Sequence, residues 1–261
     1  MRGRTARTAS ALAGGAAALT LLTATGAHAE RRGDIRVTAA VVNGGKNVII
    51  GTSRRVTYPI AITVKDNSGV KGLSHVSVFN KADGWGFGDW TGTTCVRKSS
   101  TTSVCTATME LAPQSLPGSL PEDVDNTVGV WQVDATVRAN DGDYWIADDI
   151  AEFKTKRASE LTTDASPEPV AKGAKLTVTG RLTRANREDL QYHGFTGQDV
   201  KLQFRADGAA HYATVKTVRT GDAGKLGTKV TATSAGSWFW YFPGTTTTAR
   251  VVSAGDAVKL R

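Results

Sequence analysis

A chain of 261 residues with a formal net charge of +8 carries a modest basic excess, and three of its arginines sit in an N-terminal segment expected to be removed, leaving +5. So small an excess argues against a nucleic-acid-binding role. Beyond that segment no stretch approaches a membrane span, so no stable insertion is expected after cleavage.

Arg2, Arg4 and Arg7 form a positive start, Ala11–Leu22 is small and apolar, and Ala27-His28-Ala29 fits a small-x-small cleavage site. Residues 1–29 are therefore expected to be a signal peptide, with the mature chain beginning near Glu30, secreted and extracellular. An even cysteine count in an exported chain points to one structural disulfide, Cys95–Cys105, across a polar Ser/Thr-rich stretch able to reverse direction.

The rest reads as strands and turns, without a long 3.6-residue apolar repeat. Asp34–Asn43 is β-rich and ends at Asn43-Gly44-Gly45. Val56–Val64 alternates and ends at the Asp66-Asn67-Ser68-Gly69 turn. Val76 and Val78 mark a short strand, followed by the Gly-rich aromatic loop Asp83–Trp90. Val104–Leu111 precedes a long connection broken by Pro113, Pro117 and Pro121. Val128–Val137 places Trp131, Val133, Ala135 and Val137 on one face. The Asn140-Asp141-Gly142-Asp143 turn then leads into Tyr144–Phe153.

Lys154–Gly173, with Pro167, Pro169 and Gly173, reads as the boundary between a first domain over 30–158 and a second over 159–261. In the second, Leu176, Val178 and Leu182 alternate with polar residues, and Val200, Leu202 and Phe204 alternate with Lys201, Gln203 and Arg205. Tyr212–Val218, Leu226–Ala232, the aromatic run Ser237–Gly244 and Arg250–Leu260 follow. About seven strands in roughly a hundred residues is the spacing of an Ig-like sandwich. The fold class expected is all-β: two tandem Ig-like β-sandwich domains.

Gly180–Leu182, Thr196–Arg205, Tyr212–Val218 and Trp238–Gly244 together resemble a bacterial Ig-like module, in the scheme G-x-L, G-Q-x-V-x-L-x-F-R, Y-x-T-V-K-T-V and W-x-x-x-F-x-G. Nearly the whole mature chain resembles secreted actinobacterial proteins with a signal peptide and tandem sandwich domains. Some of those carry a calcium-binding label, which the resemblance implies here; it implies no catalytic residue. Phe239 and Tyr241 depart from the pattern, which would have more polar residues there. Either they contact the first domain, which opposite charge blocks would favour, or they form a binding face.

The charges are uneven. Residues 30–158 balance 15 Lys/Arg against 15 Asp/Glu, whereas 159–261 carry 14 against 9. From Thr101 to Phe153 ten residues are acidic and only Arg138 is basic. The mature histidines, His75, His193 and His211, are dispersed, and neither H-E-x-x-H nor G-x-S-x-G occurs, so no enzyme is expected. Function then reads as a secreted, non-enzymatic binding or cell-envelope interaction protein. Its candidate surfaces are Phe239 and Tyr241 with Lys201 and Arg205, to which Arg181, Arg184 and Arg187 would add positive charge, and the aromatic loop with Trp85 and Trp90, which equally could fold back to cover the end of the first sandwich. The partner would be a cell-wall polymer, a glycan or another secreted protein. The alternative is an extracellular calcium-binding protein. Asp66, Asp141, Asp143, Asp148 and Asp149 flank turns that can meet at one end of a sandwich and offer the hard oxygens calcium takes. The Asp123-x-Asp125-x-Thr127 run starts like an EF-hand loop but has Val128 where glycine is needed.

Overall fold

The computed structural model describes residues 30–82, 84, 86–88, 90–113 and 128–261. The expected signal peptide, Trp85 and the Asp123–Thr127 run lie outside the described residues. The described chain is almost wholly strand, and no helix in it is long and apolar enough to cross a membrane.

Ten strands build the first sandwich: β1 (Glu30–Arg32), β2 (Arg36–Val42), β3 (Val48–Ile50), β4 (Val56–Lys65), β5 (Val70–Asn80), β6 (Gly86–Phe87), β7 (Trp90–Arg97), β8 (Thr102–Leu111), β9 (Gly129–Ala139) and β10 (Tyr144–Arg157). One sheet runs β1-β10-β9-β5-β6, with β3 parallel to the end of β10; the other runs β2-β4-β8-β7. Alternation sends every second side chain inward. Tyr58, Ile60, Ile62 and Val64 of β4, and Ala107 and Met109 of β8, meet Trp131, Val133, Ala135 and Val137 of β9. Cys95 and Cys105 face each other across β7 and β8 and are disulfide-bonded, as the polar hairpin between them suggested.

The second core is separate. It is built from β11 (Ser159–Leu161), β12 (Asp164–Ser166), β13 (Lys175–Ala185), β14 (Tyr192–Gly194), β15 (Asp199–Ala206), β16 (Ala213–Arg219), β17 (Lys225–Thr231), β18 (Gly236–Phe242), β19 (Val251–Val252) and β20 (Asp256–Val258). Strands β11, β12, β14 and β17 gather on β13; the opposing sheet runs β16-β15-β18-β19, with β20 on β18. The chain is thus all-β, two Ig-like sandwiches in tandem. Trp238, Trp240 and Phe242 point into the second core, as the alternation requires, and Ser237, Phe239 and Tyr241 point out. The Trp240 indole N–H donates to the Thr179 carbonyl at 2.9 Å, and a Cβ on Gly180 would lie 2.7 Å from that ring. Glycine at 180 is what lets the tryptophan ring approach β13 so closely.

Half of the stretch expected as a proline-stiffened boundary is strand. β10 continues through Lys154–Arg157, and β11 and β12 follow. Backbone pairing carries across: the Ala158 N–H donates to Ile50 and the Ala158 carbonyl accepts from Ala185, while Arg157 pairs with the 247–249 segment. Prolines there signalled a linker, but their missing donors fall outside these ladders.

Candidate cation site of the first sandwich

Three segments meet at one end of the first sandwich. The first is the turn after β4. Asp66 Oδ1 accepts from the Ser68 N–H at 2.8 Å and the Ser68 hydroxyl at 2.6 Å, an Asx turn completed by Gly69 N–H to the Asp66 carbonyl. The Asp66 N–H donates to Thr101 in the β7–β8 hairpin at 2.8 Å. The second is the β9–β10 hairpin, in which the Asp143 N–H donates to Asp141 Oδ1 at 3.1 Å. These two turns are tied together: the Asn140 side chain donates to the Ser68 carbonyl, Asn140 N–H to the Gly69 carbonyl, and Asp141 N–H to the Ser68 hydroxyl.

The third segment is the N-terminal arm. β1 pairs antiparallel with β10, Arg32 opposite Tyr144, so the residues that follow must pass Asp143. Gly33 makes that passage with φ +79°, and a Cβ there would fall 1.5 Å from Asp143 Oδ2. The Asp34 N–H then donates to the same oxygen at 3.0 Å. The result is a group of three carboxylates, Asp34, Asp66 and Asp143, each offering an oxygen within 4.8 Å of the others.

Two of these carboxylates are open to solvent or partly so, but Asp66 is only 1% exposed. Its Oδ1 is satisfied by Ser68; its Oδ2 is buried with no hydrogen-bond partner. A buried carboxylate oxygen without a donor is costly. Like charges at this separation repel each other, and a cation among them reverses the sign. Calcium–oxygen bonds of about 2.3–2.6 Å allow two ligand oxygens to stand up to roughly 4.6–5.2 Å apart, so these three fit around one ion. An all-carboxylate donor set without His or Cys suits a hard cation.

Of the five aspartates expected around one ion, Asp66 and Asp143 do meet. Asp141 serves as the acceptor that shapes the Asp143 turn. Asp148 and Asp149 do not join them: β10 carries them along the strand, at about 3.3 Å per residue, to an irregularity between Ala147 and Ala151. There the Asp149 N–H donates to Asp134 at 2.9 Å. Burial, and then the nearby Asp148 and Asp149 charges, push the Asp134 carboxyl above its usual range against that hydrogen bond. Asp34 was missed because it sits at the head of a β-rich run and joins the group only through the pairing of β1. The Gly33-Asp34 pair, a turn-former before an acid, was the available signal.

The other sequence-selected residues fall as follows. Trp90 packs on the first core rather than forming a surface. Phe239 is half-buried within its own domain, edge-on to Tyr212 with centroids 4.8 Å apart and over Gly255. Tyr241 stands between Lys201 and Val252, half-buried, and Arg205 lies over the Tyr212 ring at 4.9 Å. Arg181 and Arg184 belong to β13, in the opposite sheet, so the expected basic face divides between the two sheets. Arg184 stacks on Phe195, and burial followed by the charges of Arg184 and Arg187 pushes Arg157 down to about 10. His75 contacts the Ser77 hydroxyl at 3.2 Å, but Ser77 is 5% exposed, under the loop at Gly88. His193 pairs with Asp189 at 2.6 Å in the other sandwich.

No protein-family model matches the chain, and no curated protein matches it. Among solved structures it is similar to the D00–D0 domain of Intimin, at 13% identity and a TM-score of 0.28, covering 84% of this chain and 98% of that one. It is also similar to the three N-terminal domains of the bacteriophage RB49 highly immunogenic outer capsid protein, at 10% identity and a TM-score of 0.29, covering 87% and 71%. A chimeric titin Z1Z2 matches at 11% identity with a TM-score of 0.26, covering 87% and 96%. These likenesses are distant; the two-sandwich architecture stands on the strand pairing and the two cores.

Proposed function

We propose that the chain is an extracellular, non-enzymatic binding protein whose first sandwich takes calcium between Asp34, Asp66 and Asp143. The buried, partnerless Asp66 Oδ2 carries this reading. The ion would join the turn after β4 in one sheet to the hairpin of β9 and β10 in the other, and would fix the N-terminal arm beside them. Its role is structural: a clip at one end of the sandwich. The disulfide and the lack of a membrane-crossing helix among the described residues are consistent with an extracellular setting.

Equilibrium dialysis at millimolar calcium tests it, in the affinity range of about 10⁻⁴–10⁻³ M common to extracellular modules. The wild-type chain should bind one ion and Asp143→Asn should bind none. No binding above background in the wild type removes the proposal. Equal binding by the variant places the ion elsewhere.

A further inference from the structure

Where the two sandwiches meet there is a cleft of about 540 Å³, within the size range of ligand sites. Its walls come from both: Lys46, Asn47, Ile49 and Lys156 from the first sandwich, Pro243 and Arg250 from the second. Three of these are cations, and among the described residues no carboxylate lines it. The hollow beside it, which shares Lys46, does include Glu152, but that carboxylate is held by Lys81 at 2.5 Å. Lys156 is anchored by donating to the Thr245 carbonyl at 2.6 Å, and Ile49 presents an apolar floor, 37% exposed.

The chain leads from the cleft back along the outer face of β18. Pro243, in its wall, follows the outward-facing Tyr241 by two residues, and Phe239 lies two further back. Register puts Lys201 beside Tyr241 on one side and Val252, 55% exposed, on the other. Arg205 and Tyr212 continue the line past Phe239. From Pro243 to Phe239 this face runs about 13 Å, at the rise of a β-strand. Cations and half-buried rings therefore alternate over a length that no single small anion would use. The second sandwich also supplies the whole positive excess of residues 30–261.

We propose that the interdomain cleft and the outer face of β18 form a track for an anionic polysaccharide. Lys46, Lys156 and Arg250 take its carboxylate or phosphate groups, and Tyr241 and Phe239 pack against its sugar rings. The charges are complementary, and the C–H faces of sugars suit aromatic faces and edges. Single-stranded nucleic acid fits less well, because it uses rings laid out for successive bases, whereas Phe239 and Tyr212 meet at 79°. This inference rests on the reading of the chain as a binding protein and is independent of the cation site.

The test is titration calorimetry on the purified chain in EDTA, so that the calcium site takes no part. The probes are polygalacturonate, dextran phosphate, neutral dextran and oligothymidylate. At least one of the two anionic polymers carrying carboxylate or phosphate should bind, more weakly as salt is raised, and dextran should not. The Lys46→Ala/Arg250→Ala double variant should lose about tenfold in affinity, the sum expected of two exposed charges. Tyr241→Ala should weaken binding too, while Lys225→Ala/Lys229→Ala, on the other sheet, should bind like wild type. Binding that ignores the first two variants overturns the track and leaves the binding-protein reading standing. Dextran bound as well as the polyanions, oligothymidylate bound more tightly than either, or no polymer bound at all, overturns the proposal itself.

Discussion

The first sandwich holds two groups of three aspartates, and they resolve the same repulsion differently. Asp134, Asp148 and Asp149 settle theirs internally: the Asp149 N–H donates to Asp134, whose partly buried carboxyl holds its proton more strongly. Asp34, Asp66 and Asp143 have backbone and hydroxyl donors too, yet these leave the buried Asp66 Oδ2 with nothing. Clustering alone does not make an ion site. What separates the two groups is a buried oxygen that no protein donor reaches, placed where three chain segments converge.

The largest expected effect tests what holds that convergence. Thr101, which receives the Asp66 N–H, lies in the hairpin closed by the Cys95–Cys105 bridge. Cys95→Ser/Cys105→Ser should cost about 2–3 kcal/mol by loop entropy, measured by denaturant unfolding. It should also weaken calcium binding, and leave the titration of Asp134 unmoved. Calcium affinity unchanged by the loss of the bridge would detach the hairpin from the site.

Calcium itself should stabilise the wild type by about 2.7 kcal/mol at a free concentration a hundred times its dissociation constant. Thermal unfolding with calcium and with EDTA would show it. Asp66→Asn, which keeps an acceptor for Ser68, should unfold alike in both. If Asp148→Asn abolished the shift instead, the two clusters would have been assigned in reverse.

Gly33→Ala acts on the arm alone. Its φ of +79° and the 1.5 Å approach to Asp143 leave a methyl group no room. The penalty should be about 1–2 kcal/mol, seen as faster proteolysis near residues 30–34 and weaker calcium binding. Its counterpart Gly142→Ala, with φ +96° but open space around it, should strain the hairpin without pushing on a carboxylate.

Much of this was legible in local pattern. The inward Trp238, Trp240 and Phe242 followed from period-two alternation, and Cys95–Cys105 from an even count over a reversing polar stretch. Asp66 and Asp143 were found because turn chemistry is local and sandwich turns gather at the ends. Asp34 was not, since three exposed residues of β1 reveal their pairing with β10 only in three dimensions. Asp148 and Asp149 were grouped with Asp143 by nearness in sequence, which an extended strand converts into distance. Lys201 with Arg205 and Arg181 with Arg184 looked like one basic face because sequence does not say which sheet a strand joins.

The smallest effect separates the clusters most cleanly. A carboxyl raised by burial binds its proton more tightly folded than unfolded, so native Asp134 takes up protons before the unfolded chain does. Its ionised form therefore subtracts from stability at neutral pH, and the deficit disappears as pH falls through the folded pKa towards the ordinary value of 3.8. Asp134→Asn keeps an oxygen for the Asp149 N–H and removes the charge. It should stabilise the chain at pH 7 by no more than about 0.5 kcal/mol, with no gain below pH 3.8, and calcium should shift wild type and variant equally. In Asp66→Asn the order reverses: no protonation of Asp134 compensates, and calcium is what ceases to matter. A calcium shift that depended on Asp134 would merge the two clusters into one electrostatic unit.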